Sequence, residues 1–274
     1  MPLPTPKENT TAIVTGASSG IGAEIARELA RRGHGLTLVA RREDRLKSLA
    51  DDLAQTHAVR AEVIAADLTD ADSRGALPAQ VEARGLTADI LVNNAGFTTM
   101  GHVYKADRAA ELALVRTNVE AVVDLCTMFV PGMVARHGGA VLNTASTAAF
   151  QPLPGQAGYG ASKAFVLSYG RALRAELRGT GVTVTTLCPG PVETGFAEAA
   201  GMTDAEAAES LPRIMWVPAS DVARAAVEGL AAGRGVVIPG TANRAAAGLA
   251  HLAPKALLLP LLAKRHPALA SDRP

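Results

Sequence analysis

Between a short apolar run and an amphipathic stretch the chain reads Thr15-Gly-Ala-Ser-Ser-Gly-Ile-Gly22, an order that few backbones accommodate. Thr11 to Thr15 has the apolar, β-branched character of a buried strand. Beyond the glycines, Ile21, Ile25, Leu29 and Ala30 recur at helical spacing until Gly33 stops them. The alternation then repeats along the chain. Strands are predicted at Leu36 to Ala40, Ala61 to Ala66, Asp89 to Val92, Ala140 to Thr144, Val182 to Leu187 and Gly235 to Ile238. Helices are predicted over Arg42 to Gln55, Ala106 to Arg136, Gly158 to Arg178 and Asp221 to Ala231. Continuously apolar strands separated by helices imply a parallel sheet covered on both faces. Right-handed crossovers make it a doubly wound α/β fold, with its ligand crevice at the carboxyl ends of the strands.

With 274 residues, 48 % hydrophobic and 19 % charged, the chain has apolar material for one large core and too little charge for disorder. No repeat or linker divides it, so residues 1–274 are read as a single domain. Lys plus Arg number 27 against 26 Asp plus Glu, which lacks the basic excess of a nucleic-acid binder. The six histidines show no metal-ligand spacing, and no metal is expected. Cys126 and Cys188 form no CxxC and no disulfide framework. The N-terminal MPLPTPKENT lacks the apolar run of a signal peptide, and Ala256 to Ala263, broken by Pro260, is too short to span a bilayer. A cytoplasmic location is the resulting expectation.

A helix N-terminus presents unpaired backbone N–H groups and partial positive charge, which suits a pyrophosphate. Gly16 takes the tight turn, Gly20 admits a close backbone approach, and Gly22 permits tight helix–strand packing. Gly16, Ser18, Ser19, Gly20, Ile21 and Gly22 are therefore candidate cofactor contacts, although glycines also serve plain βα turns. The second strand ends Val39-Ala40-Arg41-Arg42, with no carboxylate before Glu43. An acid there would bind a ribose 2′-hydroxyl, whereas a guanidinium offers forked donors to a 2′-phosphate. Arg41 and Arg42 thus favour NADP(H) over NAD(H). The alternative, solvated residues at a helix start, runs against the preference for acids there.

Tyr159 and Lys163 stand four apart in a predicted helix and share a face. A free phenol titrates near ~10, and a neighbouring cation favours its ionised form. Such a phenol can exchange a proton with a carbonyl oxygen as hydride reaches carbon. Ser146, at the end of a predicted strand, lies where the crevice should open and can hold the same oxygen.

In this order and at these spacings, Thr15 to Gly22, Asp67-Leu68, Asn93-Asn-Ala-Gly96, Asn118, Ser146, Tyr159 with Lys163, and Pro189-Gly190 before Thr194 resemble the short-chain dehydrogenase/reductase family. The likeness runs from about residue 11 to residue 240. It implies a Rossmann-like, seven-stranded parallel sheet in the order 3-2-1-4-5-6-7. It also implies Tyr159 as general acid/base, Ser146 on the substrate oxygen, and Lys163 on the nicotinamide ribose. Asn118 would position a water linking Lys163 to solvent. Asp67 and Leu68 would contact the adenine, and Asn94 the adenosine-side ribose region. Pro189, Val192 and Thr194 would border the nicotinamide.

Residues 190–217 occupy the place of the family's variable substrate loop. Phe196, Met202, Met215 and Trp216 there imply an apolar pocket wall and a hydrophobic carbonyl or alcohol substrate. Thr203 and Glu206 have capping-box spacing for a short helix. The family resemblance implies a homodimer or homotetramer. The Leu-rich tail, residues 241–274 with Lys255 and Lys264, is expected to pack on the body of the protein, the alternatives being to lie on a membrane surface, close an active site or cover a partner subunit. The competing functions are a non-catalytic dinucleotide-binding sensor and a membrane-associated scaffold on the same fold.

Overall fold

Seven parallel strands form one sheet in the order β3-β2-β1-β4-β5-β6-β7. They are β1 (Thr10–Thr15), β2 (Leu36–Ala40), β3 (Ala61–Ala65), β4 (Thr87–Asn93), β5 (Gly139–Thr144), β6 (Val182–Leu187) and β7 (Val236–Val237). The computed structural model describes residues 3–192 and 212–254, and scattered positions between 256 and 269. Thr194, Phe196, Met202 and the Thr203–Glu206 pair lie outside the described residues.

The helices between the strands are α1 (Gly20–Arg31), α2 (Glu43–His57), α3 (Ala71–Gly75), α4 (Leu77–Glu82), α5 (Arg108–Val115), α6 (Ala121–Ala135), α7 (Ala157–Glu176) and α8 (Ala219–Ala231), and α9 (Thr241–Leu252) follows the last strand. Alternating side chains of β1 explain why its run is apolar throughout. Val14 packs with Ile25, Leu29, Leu38 and Val227 on one face, whereas Ile13 packs with Val39, Leu91 and Phe129 on the other. Both faces are therefore core, as a parallel sheet requires.

Strand boundaries agree with the sequence to within two residues. The predicted helix from Ala106 to Arg136 differs in kind: a π-helical turn, Arg116–Glu120, separates α5 from α6. The 28 residues Arg108–Ala135 are long and apolar enough to cross a membrane by length and composition. Their side chains Leu125, Phe129 and Met133 are buried against Leu91 and Val141 of the sheet, as in a core helix. At the far end of the chain α9 packs on residues 147–150 and 213–215, with Asn243 and Ala247 buried.

Candidate active site

The turn from β1 to α1 is made of close backbone contacts that only glycines allow. Gly16 and Gly20 hold φ of 66° and 56°, in the left-handed region. A Cβ on Gly22 would meet Asn94 Nδ2 at 2.5 Å and the Gly16 carbonyl oxygen more closely still. Gly22→Ala is therefore expected to cost about 1–3 kcal/mol through overpacking. A urea midpoint unchanged from the parent would contradict that.

At the start of α1, Ser19 makes no side-chain cap, and no acid occupies the first turn. The helix thus keeps its positive end for an anion from outside the chain. Arg42 reaches across from the end of β2. Its Nη2 donates to Ser18 Oγ at 2.9 Å and to Ser19 Oγ at 2.8 Å, and its Nε to Ser18 Oγ at 3.3 Å. A glycine cradle, an uncapped helix end and a guanidinium beside two hydroxyls fit a phosphate-bearing dinucleotide. Arg41 is exposed, and its charge helps to lower the Asp67 carboxyl, after the backbone N–H and hydroxyl of Thr69.

The other predicted adenosine-side residues are built into the framework. Asp67 accepts from Thr69 N and Thr69 Oγ1, both at 2.9 Å. Leu68 is buried in the core. The Asn94 side-chain NH2 donates to the Thr15 carbonyl at 3.1 Å, and Thr15 Oγ1 accepts from Asn94 N at 3.0 Å and Ala95 N at 3.1 Å. Asn94 therefore clips the end of β4 to that of β1, directly beneath the glycine turn.

Four predicted residues converge past the ends of β4 and β5. Ser146 starts the 3-10 turn Thr147–Phe150, accepts from Ala148 N at 3.1 Å and hydrogen-bonds Tyr159. Lys163 follows Tyr159 by one turn of α7. Its ammonium lies 5.7 Å from the Tyr159 ring centroid and donates to the Thr144 carbonyl at 3.0 Å. Asn118 sits in the π-helical turn. Its Oδ1 accepts from Phe97 N at 3.1 Å, and its Nδ2 donates to Phe97 O at 2.9 Å and Ser162 Oγ at 3.1 Å. A π-turn widens the helix by one residue per turn, and here that aims the Asn118 amide sideways at its neighbours.

Burial governs the electrostatics. It pushes the Lys163 ammonium down to about 8, with no carboxylate among the causes to oppose it. It pushes the Tyr159 phenol up, while the Ser146 hydrogen bond pulls the other way. The folded chain alone thus moves the phenol opposite to the lowering expected from a neighbouring ammonium.

On the remaining side, the Pro189 carbonyl accepts from Thr147 N at 2.9 Å. Val192 packs on the main core cluster, and Met215 and Trp216 are half-buried, whereas Ile214 is 79 % exposed. Sequence reasoning missed three residues. Ser162 donates to the Tyr159 carbonyl at 2.7 Å while accepting from Asn118. Arg74, 1 % exposed, donates to Leu68 O at 2.8 Å, Asp124 Oδ2 at 2.8 Å and Glu120. Asn243 is fully buried near Gly190. Of these, only Ser162 carried a signal, being enclosed between Tyr159 and Lys163.

Comparison with known proteins places this geometry. The family model described as short chain dehydrogenase matches residues 10–205. A short chain dehydrogenase of Pseudocercospora fijiensis is 37 % identical over 189 residues, covering 68 % of this chain but only 61 % of that relative. An NADP-dependent 3-hydroxy acid dehydrogenase of Salmonella typhi is 36 % identical over 184 residues, 66 % of this chain and 71 % of the relative. Among solved structures, a short-chain dehydrogenase from Sphingobium yanoikuyae in complex with NADPH superimposes with a TM-score of 0.78 at 33 % identity. That match covers 97 % of this chain and 100 % of the other. The glycine turn, the strand order and the Ser146–Tyr159–Lys163 cluster all lie within this likeness, and the chain belongs to the short-chain dehydrogenase/reductase family.

Proposed function

We propose that the chain is an NADP(H)-dependent oxidoreductase moving hydride between the nicotinamide and a carbonyl/alcohol pair on a hydrophobic small molecule. The observation that carries this reading is the hydrogen-bonded pair of Ser146 and Tyr159 one helical turn from the Lys163 ammonium. When bound, the dinucleotide supplies or accepts the hydride. Tyr159 donates its phenolic proton to the carbonyl oxygen during reduction and takes it back during oxidation. Ser146 holds that oxygen against the phenol. Lys163, fixed by the Thr144 carbonyl, provides a positive charge that favours the phenolate in a poorly solvated site. Asn118 holds Phe97 and Ser162 and so shapes the wall behind Lys163.

For NADP(H), support comes from Arg42 on the Ser18 and Ser19 hydroxyls and from the missing carboxylate at the end of β2. The NADP-dependent relative and the NADPH-bound neighbour agree with it. Arg42→Ala should weaken NADPH by about 10- to 100-fold, the scale of charge-assisted hydrogen bonds, and NADH far less. Arg41→Asp should discriminate in the same direction. Equal losses for the two cofactors would remove the phosphate-reading role.

The direct test is an absorbance assay of ketones and aldehydes with NADPH and NADH. Turnover is expected with apolar carbonyls and NADPH, and a complete lack of cofactor consumption across the panel would argue for the sensor instead. A homodimer or homotetramer has a candidate surface where Leu112 and Val115 of α5 and Phe165 of α7 stand 38–45 % exposed. A monomeric mass in light scattering would remove it.

A further inference from the structure

Asn243 belongs to the C-terminal helix α9, yet beyond its local bond to Pro239 its side chain meets two segments that are distant in sequence, at Gly190 and Met215. It is fully buried, and its Nδ2 donates to the Met215 carbonyl at 2.9 Å and the Pro239 carbonyl at 3.1 Å. Its amide lies flat on Gly190: a Cβ there would come within 2.5 Å of both Cγ and Nδ2. Its Oδ1 is buried with no hydrogen-bond partner among the described residues, a cost the site retains. Close by, Val217 N donates to the Pro191 carbonyl at 3.2 Å, joining the two ends of the chain segment that leaves β6 and returns to α8. Gly190 follows Pro189, whose carbonyl accepts from Thr147 N next to Ser146. One amide therefore packs against the backbone leaving β6, beside the Ser146–Tyr159 pair.

We propose that Asn243 is a positioning residue: from the C-terminal helix, its amide fixes the Pro189–Gly190 backbone against which the nicotinamide half of the dinucleotide lies. The proposal rests on the dinucleotide reading above. It gives the tail a role at the reaction centre, and it makes the absence of a side chain at Gly190 a requirement set by α9 rather than by the loop itself.

The test separates the two halves of the cofactor. Fluorescence titrations with NADPH and with 2′-phospho-ADP-ribose, which lacks nicotinamide, are compared for the parent, Asn243→Ala, Gly190→Ala and the double variant. Asn243→Ala is expected to weaken NADPH roughly tenfold, the effect of losing one or two hydrogen bonds, and to leave 2′-phospho-ADP-ribose unchanged. Gly190→Ala should show the same selectivity, because its methyl group displaces the amide. In the double variant the space vacated by Asn243 receives that methyl, so NADPH should bind more tightly than to Gly190→Ala alone. Equal weakening of both ligands, unchanged NADPH binding, or additive losses in the double variant would overturn the proposal. If Asn243→Ala fails to fold, Gly190→Ala and the double variant decide by the same criteria. A parent chain that binds neither ligand would instead overturn the dinucleotide reading beneath it.

Discussion

Tyr159→Phe should fold, bind NADPH like the parent and lose about 10²- to 10⁴-fold in kcat, the usual contribution of a positioned general acid/base. Phenylalanine keeps the half-buried ring and its place above the Lys163 ammonium. On the proposed mechanism, what disappears is the phenolic proton passed to the substrate oxygen while Ser146 holds it. The loss should fall on kcat with KM little changed, since the ring still fills its space. Turnover within threefold of the parent would remove Tyr159 from the reaction. A parallel fall in NADPH affinity would point to misfolding rather than chemistry, and titration with the cofactor separates these outcomes.

Lys163→Met should destroy turnover and yet raise stability. Lys163 is 4 % exposed, and burial holds its ammonium at about 8 against an ordinary value of 10.5. The unfolded chain therefore binds a proton that the folded chain has released between those two values. Stability from this site accordingly rises with pH from about 8 to 10.5, and the full penalty is present below about 8. At neutral pH that penalty is on the order of 3 kcal/mol, from 1.36 kcal/mol per pKa unit. Losing the hydrogen bond to the Thr144 carbonyl returns about 1 kcal/mol of it. Lys163→Met should thus be more stable than the parent at pH 7, with the advantage gone near pH 10.5. Urea titrations at both pH values measure the difference. A variant less stable than the parent at pH 7 would mean that the ammonium is held by favourable contacts, not imposed on an apolar site.

The features legible in the sequence are those carried by local pattern. β2 and β6 occupy their predicted residues, because continuous apolar runs between turn signals admit few alternatives. The glycine turn and the Tyr159–Lys163 spacing needed only the periods of a strand and a helix. Positions fixed across long sequence gaps left no such trace. Arg74 resembles any surface arginine in a polar segment, and its partners Glu120 and Asp124 lie about fifty residues further on. The Thr144 carbonyl that receives Lys163 is backbone, which no residue type announces. Asn243 sits in an Ala-rich tail, and its burial depends on Gly190 and Met215 meeting it in space. Asp67 likewise closes a tight turn onto Thr69, while Asp70 caps α3.

The π-helical turn at Arg116–Glu120 has a consequence for how the chain tolerates deletion. It stores one supernumerary residue in an otherwise continuous rod. Removing one of the five would let the turn close to ordinary pitch with the residues on either side still on their own faces, whereas a residue removed from α6 would swing everything before it by about 100° about the axis, the angle each residue subtends. A deletion in α6 would thus drive Leu114 out of the core and take the Glu111 carboxylate from its seat beside Gly158 at the head of α7. A single codon lost from the π-turn should therefore spare the fold and disturb the Asn118 contacts, whereas one lost from α6 should unfold the chain.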